Sequence, residues 1–135
     1  MKGGPHMPRE YFEGTWQKNR SFTPAVVTQG VRMVFAAGHG AIHDDDGKSL
    51  AGDFAAQARQ AFTLLDRTLQ RAGARLKDLT TVTVFIIDTR FGNDFVEIRK
   101  EFFPDGKFPA SALITVAGFA HPHMMVEIQG IAVVD

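Results

Sequence analysis

Cysteine is missing from this sequence of 135 residues, which excludes disulfide bonds, thiolate catalysis and cysteine-ligated zinc sites. An excess of charge is missing too, because 15 Lys and Arg residues balance 15 Asp and Glu residues. General nucleic-acid-binding proteins usually carry a basic excess, so we expect no nucleic-acid partner. The chain has no apolar run long enough to span a membrane and no apolar centre of a signal peptide. We therefore expect a cytoplasmic location and no membrane partner.

Hydrophobic residues make up 44% of the chain and include twelve Phe, which is ample for the core of one domain. We expect an N-terminal arm, residues 1–23, followed by a single domain, residues 24–135. The first seven residues, MKGGPHM, contain two Gly and one Pro and are given no function. The arm also carries four aromatic residues, suited to packing or to a lid over a pocket: Tyr11, Phe12, Trp16 and Phe22.

Helical periodicity marks two segments of the chain. Asp53 is suited to cap a helix whose apolar residues recur at steps of four and three until Gly73 ends it. A second helix, capped by Asn93 or Asp94, is expected to reach about Phe103. Both helices present one apolar face, so both are expected to pack against a sheet.

Five β-type runs complete the predicted fold: residues 24–29, 31–37, 79–88, 111–116 and 124–134. The first two runs are separated by Gly30 and predict an antiparallel pair joined by a tight turn. The element order is β-β-α-β-α-β-β, an α+β fold whose simplest packing has a mixed sheet with both helices on one face. No helix remains to cover the other face, so another copy of the chain is its natural cover.

A single carboxylate, Glu127, interrupts the last apolar run, and Gln129 follows two positions later. Burying a charged group without a partner is costly, so Glu127 must either face water or be held by partners. The residues alone leave two alternatives open. Glu127 is either a functional carboxylate or an ordinary glutamate on a polar sheet face or bound to structural amides.

Four segments, in this order, carry a family resemblance: FAAGHG, AAQARQAFTLLDRTLQRAGARLKDL, VTVFIID, and FPASALITV with VEIQGIAV. From about Val27 to Val134 the chain resembles the RidA (YjgF) family of small trimeric imine and enamine deaminases. The resemblance implies a chorismate-mutase-like subunit and a homotrimer with active sites between neighbouring subunits. It also implies hydrolysis of a reactive imine or enamine to a keto acid and ammonia, a reaction that needs no cofactor.

This chain retains only part of the active site that the family resemblance implies. Glu127 matches the glutamate that handles the attacking water, and Gly38 matches a glycine of the pocket wall. Ser111 stands where deaminating members have the arginine that grips the substrate carboxylate. Val27 and Ala37 stand where those members have a tyrosine and a serine. The chain therefore resembles a branch of the family that lacks the substrate-binding arginine.

Other residues near these positions are candidate substrate contacts. His39 directly follows Gly38, and Phe119 lies in the loop before the last strand, so both join Ser111 and Ala37 as candidates. Four cations are candidate replacements for the missing arginine: Arg32, Arg90, Arg99 and Lys107.

No metal is expected to bind. His121 and His123 flank a proline without an established ligand spacing, and residues 44–47 lack the alternating ligands of a calcium loop.

Two functions follow as hypotheses. The first is a hydrolase or deaminase in which Glu127 activates water against a reactive imine or enamine, releasing ammonia. The alternative is a non-catalytic trimer that binds small ligands or acts like a chaperone, motivated by Ser111 in place of the arginine. A nuclease role, sometimes attached to this family, is disfavoured because no basic stripe is present.

Overall fold

The computed structural model describes residues 9–135 and has a four-stranded mixed sheet with both helices packed on one of its faces. The elements in chain order are β1 Glu10–Phe12, β2 Ala25–Val27, β3 Arg32–His39, α1 Phe54–Arg71, β4 Leu79–Ile86, α2 Gly92–Phe102, β5 Ala110–Thr115 and β6 Val126–Val134, with short 3-10 helices at Leu76–Asp78 and Thr89–Phe91. The predicted α+β class is confirmed, with β1 as one strand more than predicted. The expectation for residues 1–7 lies outside the described residues, and the division into an arm and a domain stays a prediction.

Helix α1 begins and ends where its sequence signals predict. The carboxylate of Asp53 accepts the N–H of Ala56 at 3.0 Å and caps the first turn. Gly73 follows the last turn with a φ of +85°, a left-handed conformation that costs glycine little. Helix α2 instead begins after Phe91, so the prediction that Asn93 or Asp94 caps it is wrong.

The strand order in the sheet is β3-β6-β4-β5, with β4 and β5 parallel and the other two pairs antiparallel. The predicted pairing of the first two β-type runs is wrong, because β2 pairs with β1 and β3 pairs with β6. Gly30 does not form a tight turn between them but packs against the end of β6. A Cβ at Gly30 would lie 2.7 Å from the carbonyl oxygen of Val134, so this close approach requires glycine.

The two faces of the sheet differ in their surroundings. The helix face is buried in the core, and Val84, Val126 and Ile128 there have no exposed surface. The other face is uncovered in the single chain, and Met33 and Phe35 on it are 58% and 69% exposed. The homotrimer that would cover this face stays a prediction.

The last residues of the arm are fixed to the domain. Thr23 donates its backbone N–H to the carbonyl of Pro109 at 3.1 Å, and the Ser21 hydroxyl donates to the carbonyl of Val96 at 2.8 Å. Trp16 packs on Phe22 with ring centroids 5.4 Å apart, yet its own ring is largely exposed. Among residues 9–135, no helix is both long and apolar enough to cross a bilayer.

Candidate active site

Glu127 lies near the start of β6 and points to the uncovered face of the sheet. Its neighbours along the strand, Val126 and Ile128, are buried on the helix face, and side chains alternate between the faces of a strand. Its Cα partner on β4 is Phe85. The Glu127 side chain is therefore half-buried in the single chain and accessible from the uncovered face.

A β-bulge in β3 shapes the space around this carboxylate. Ala36 pairs with Gly130 and His39 pairs with Ile128, so β3 has one residue more than β6 between these pairs. An ideal Cβ built on Gly38, inside the bulge, would lie 2.6 Å from Glu127 Cδ and 2.8 Å from Glu127 Oε2. Glycine at this position thus leaves room for the carboxylate against the backbone of β3.

The Glu127 carboxylate has no hydrogen-bond or ion-pair partner among residues 9–135. Asp45 and Asp88 differ, because hydrogen bonds from Arg67 and Arg90 lower the pKa of these carboxyls to about 2. One of the ordinary roles open to Glu127 was hydrogen bonding to structural amides. The contacts within residues 9–135 do not support that role. Both oxygens of Glu127 remain available to a ligand or to water.

Ser111 lies on the opposite face of the sheet from Glu127. Its Cα partner on β4 is the buried Val82, three residues from Phe85, and three steps along a strand lead to the other face. The Ser111 hydroxyl accepts a hydrogen bond of 2.7 Å from Arg99 Nη1 of helix α2. A single chain therefore does not bring Ser111 and Glu127 together.

Arg99 is the most deeply buried of the four candidate cations, with 1% of its surface exposed. Its Nε donates to Ser21 Oγ at 3.1 Å, its Nη2 donates to the carbonyl of Arg20 at 3.2 Å, and its guanidinium lies 5.1 Å from the Phe95 ring centroid. Burial lowers the pKa of Arg99 to about 10, and repulsion from Arg20 contributes. No carboxylate pairs with Arg99 within residues 9–135.

The other three candidate cations are exposed. Arg32 donates to the carbonyl of Ala72 at the end of α1, and Arg90 pairs with Asp88 at 2.7 Å. Lys107 lies in the exposed turn after α2. Of the four, Arg99 is the one that contacts the side chain of Ser111 in the part of the chain that the structure describes.

His39 is turned away from Glu127 and towards helix α1. Its Nε2 lies 2.8 Å from Thr68 Oγ1, and its Nδ1 lies 2.6 Å from the carbonyl oxygen of Ala37. If Nδ1 donates to that carbonyl, Nε2 accepts the hydroxyl proton of Thr68, and both ring nitrogens are satisfied. His39 in the single chain thus fixes the bulged strand to the helix.

Comparison with known proteins decides the family. The family described as endoribonuclease L-PSP, also known as RidA or YjgF, matches residues 17–134. The chain belongs to this family. The 3-aminoacrylate deaminase RutC of Acinetobacter baylyi is 29% identical over 128 residues, which cover 93% of this chain and 98% of that protein.

Solved structures of the same family share the fold. The Rid-family protein YyfB of Yersinia pestis, a protein of unknown function, has a TM-score of 0.83 at 21% identity over 95% of this chain and 100% of its own. A YjgF-type protein of Mycobacterium tuberculosis has a TM-score of 0.65 at 25% identity over 94% of this chain and 100% of its own.

The remaining candidate contacts of this RidA-family chain lie in several places. Ala37 is exposed in the bulge, Val27 is 47% exposed on β2, and Phe119 is half-buried in the loop before β6. Their roles as pocket residues, like those of Glu127 and Ser111, stay predictions.

Sequence reasoning missed Gln57, which holds the loop before β6 in place. Gln57 is a polar residue, yet it is fully buried on the core side of α1. Its Nε2 donates to the carbonyls of Leu50 and His123, and its Oε1 accepts the N–H of Met125 at 2.8 Å. The signal was its spacing, because Gln57 lies three residues after Phe54 and four before Ala61 on the buried face.

The same loop brings two histidines close together. The ring centroids of His121 and His123 lie 5.6 Å apart, and His121 Nδ1 accepts the N–H of His123. Within residues 9–135, no group of three His, Asp or Glu side chains has the arrangement that a metal ion requires.

Proposed function

We propose that this protein hydrolyses reactive imines and enamines, with Glu127 as the base that activates water. The observation that carries the proposal is the Glu127 carboxylate itself, unpaired among residues 9–135 and seated against Gly38, where a larger residue would displace it. The family membership and the similarity to a 3-aminoacrylate deaminase support the same chemistry.

The reaction needs only a base and a positioned substrate. An enamine first gains a proton on carbon and becomes an imine, whose carbon is electrophilic. Glu127 takes a proton from water as the water oxygen bonds to that carbon and the C=N electron pair moves to nitrogen. Glu127 returns that proton to nitrogen, which gives a carbinolamine. The hydroxyl proton of the carbinolamine then passes to nitrogen, the O–H electron pair forms C=O, and the C–N bond breaks to release ammonia and leave the carbonyl product. No step requires a cofactor.

The working form in this proposal is a homotrimer assembled through the uncovered face of the sheet. Phe35, Met33 and Ile114 expose large apolar side chains on that face, and such patches mark association surfaces. Because Ser111 and Glu127 lie on opposite faces of one chain, a site that uses both is formed between copies.

Ammonia release from freshly generated 2-aminoacrylate tests the chemistry. Glu127→Gln keeps the size of the side chain but removes the base, so we expect a rate loss of about a hundredfold or more. Gln129→Ala, two residues along the same face of β6, is the matched control and should retain activity. Equal rates for wild type and Glu127→Gln, or no turnover of any imine, would end the proposal.

Mixing two inactive variants tests the shared site. Ser111→Asp places a negative charge where the substrate carboxylate is expected, and Glu127→Gln removes the base. If the sites lie between copies, trimers assembled from an equal mixture have an intact site at about one interface in four, so part of the activity returns. Mixed trimers without any activity would mean that both residues serve the same chain's site.

A non-catalytic binding protein is the second candidate. It is favoured by Ser111, Val27 and Ala37, which supply no charge and little hydrogen bonding where deaminating relatives have an arginine, a tyrosine and a serine. Saturable keto-acid binding together with an absence of imine turnover would support this candidate over the hydrolase.

A further inference from the structure

Arg99 is a buried cation that no anion balances within residues 9–135. Its three recorded hydrogen bonds go to neutral acceptors, Ser21 Oγ, Ser111 Oγ and the carbonyl of Arg20. Neutral acceptors satisfy N–H groups but leave the positive charge uncompensated, which is costly in a buried place. Buried groups perturbed in this way cluster at functional sites.

The supports of Arg99 fix its position. Ser21 has a φ of +61°, a left-handed conformation that is disfavoured outside glycine and typical of constrained sites. Its hydroxyl donates to the carbonyl of Val96 and so offers its lone pair to Arg99 Nε. The Phe95 ring lies under the guanidinium and limits its movement.

The Ser111 hydroxyl stands in front of this cation. A hydroxyl has one donor hydrogen, and because Ser111 Oγ accepts from Arg99 Nη1, that hydrogen is directed away from the guanidinium. Its other recorded contact within residues 9–135 is a long one, 3.5 Å to the carbonyl of Ala112. Ser111 is half-buried on β5, the outermost strand, so no further strand of the sheet covers its outer side.

We propose that Ser111 and Arg99 form a recessed binding site for a carboxylate. The Ser111 hydroxyl donates to the anion directly, and Arg99, one hydrogen bond behind it, supplies the positive charge. The family's arginine is thus replaced by a serine that transmits the charge of a residue on α2. This inference rests on the proposed function in taking the anion to be the carboxylate of the imine substrate.

The pair fits a small, singly charged anion. It offers one direct hydroxyl donor and one compensating charge, whereas a phosphate would demand more donors and more charge. Arg99 acts through Ser111 and is a positioning residue, so its loss should alter binding more than the chemical step.

Equilibrium binding of pyruvate and methyl pyruvate to the full-length protein tests the site without any turnover. The two probes share their size and ketone, but only pyruvate carries a charge. We expect pyruvate to bind at least about tenfold more tightly to wild type and to Glu127→Gln, as a charge-assisted contact implies. Ser111→Ala and Arg99→Met should remove that preference, and Arg99→Lys should keep part of it. Arg59→Met, which removes an exposed arginine paired with Glu101, should keep all of it.

Two further readouts separate this site from a structural role. Ser111→Ala should raise KM for a carboxylate-bearing imine about tenfold and change kcat much less. The Nε–H resonance of Arg99 in wild type should shift when pyruvate is added but not when methyl pyruvate is added, a readout that stands even if Arg99→Met does not fold.

Specific outcomes overturn the inference. Equal affinity of wild type for both probes, undetectable pyruvate binding, or an unmoved Arg99 resonance would each do so. Turnover of imines without a carboxylate preference would overturn this site and leave the proposed function in place. A preference for pyruvate over methyl pyruvate without any turnover of imines would support this site and overturn the proposed function.

Discussion

Replacing Gly38 with alanine should disable the proposed base without unfolding the protein. The added Cβ would lie 2.6 Å from Glu127 Cδ, whereas carbon atoms in contact prefer about 3.5–4.0 Å. One of the two groups must therefore move by about 1 Å. The nearest atoms all belong to the Glu127 side chain, which rotates more easily than the backbone of β3 shifts.

The substitution should affect the catalytic rate much more than the free energy of unfolding. A displacement of about 1 Å in a catalytic group costs about a hundredfold in rate, so we expect that loss in ammonia release. The free energy of unfolding should change by less than about 1 kcal/mol, because alanine is favoured over glycine in a strand by a similar amount. The variant should thus be folded and nearly inactive.

Two matched glycine substitutions serve as controls. Gly92→Ala meets only Leu113 at 3.7 Å, an ordinary contact, and should leave both activity and stability close to wild type. Gly130→Ala would instead approach the carbonyl of Thr81 at 2.8 Å, so it should destabilise the sheet by about 1–3 kcal/mol. Wild-type ammonia release by a folded Gly38→Ala would refute the reasoning, and so would unfolding as severe as that of Gly130→Ala.

Three other perturbations test other parts of the structure. Gln57→Leu removes three buried hydrogen bonds and leaves their backbone partners unpaired, so denaturant unfolding should show a loss of about 2–4 kcal/mol. Asp45 has a lowered pKa of about 2, so its pairing with Arg67 stabilises the fold above about pH 4 and is lost as the pH falls through 2. In Arg67→Gln the pKa of the Asp45 carboxyl, followed by NMR, should rise towards its ordinary value of 3.8 without reaching it, because the hydrogen bond from Gln60 remains, and an unchanged midpoint would refute the pairing. Phe35→Asp should shift the protein towards monomers in light scattering, because it places a charge on the uncovered face.

Most of the fold followed from local signals in the sequence. The cap at Asp53 and the glycine at 73 mark the ends of α1, and the β-branched run after residue 79 marks β4. The pairing of β3 did not follow, because a glycine between two strands suggests a turn wherever it occurs. Gly30 is needed because the backbone there approaches the end of β6 closely. Strand β6 is distant from Gly30 in the sequence, so only the folded chain reveals that requirement.

The candidate site was predictable in its residue types and not in its arrangement. The sequence proposes Glu127 and Gly38 as candidate site residues, but the contact between them depends on a one-residue bulge that has no local signature. Arg99 was one of four candidate cations, and its spacing, four residues after Phe95 and three after Val96 on the buried face of α2, is a signal of burial that the exposed Arg90 lacks. The distinction comes from the helix face it occupies and from Ser111 and Ser21, which meet it across the fold.

Assembly and chemistry are coupled at Glu127 in this proposal. Covering the uncovered face with another copy would remove water from a carboxylate that has no donor within residues 9–135. A carboxylate without water or a donor is costly, so the missing donor must come from the partner copy or from a bound ligand with its attacking water. A ligand that supplies it binds the assembled form better than the separated chains and therefore stabilises the assembly by mass action. In the assembled form without a ligand, the desolvated Glu127 carboxylate is then unfavourable, and the free energy of assembly offsets this cost until the substrate binds.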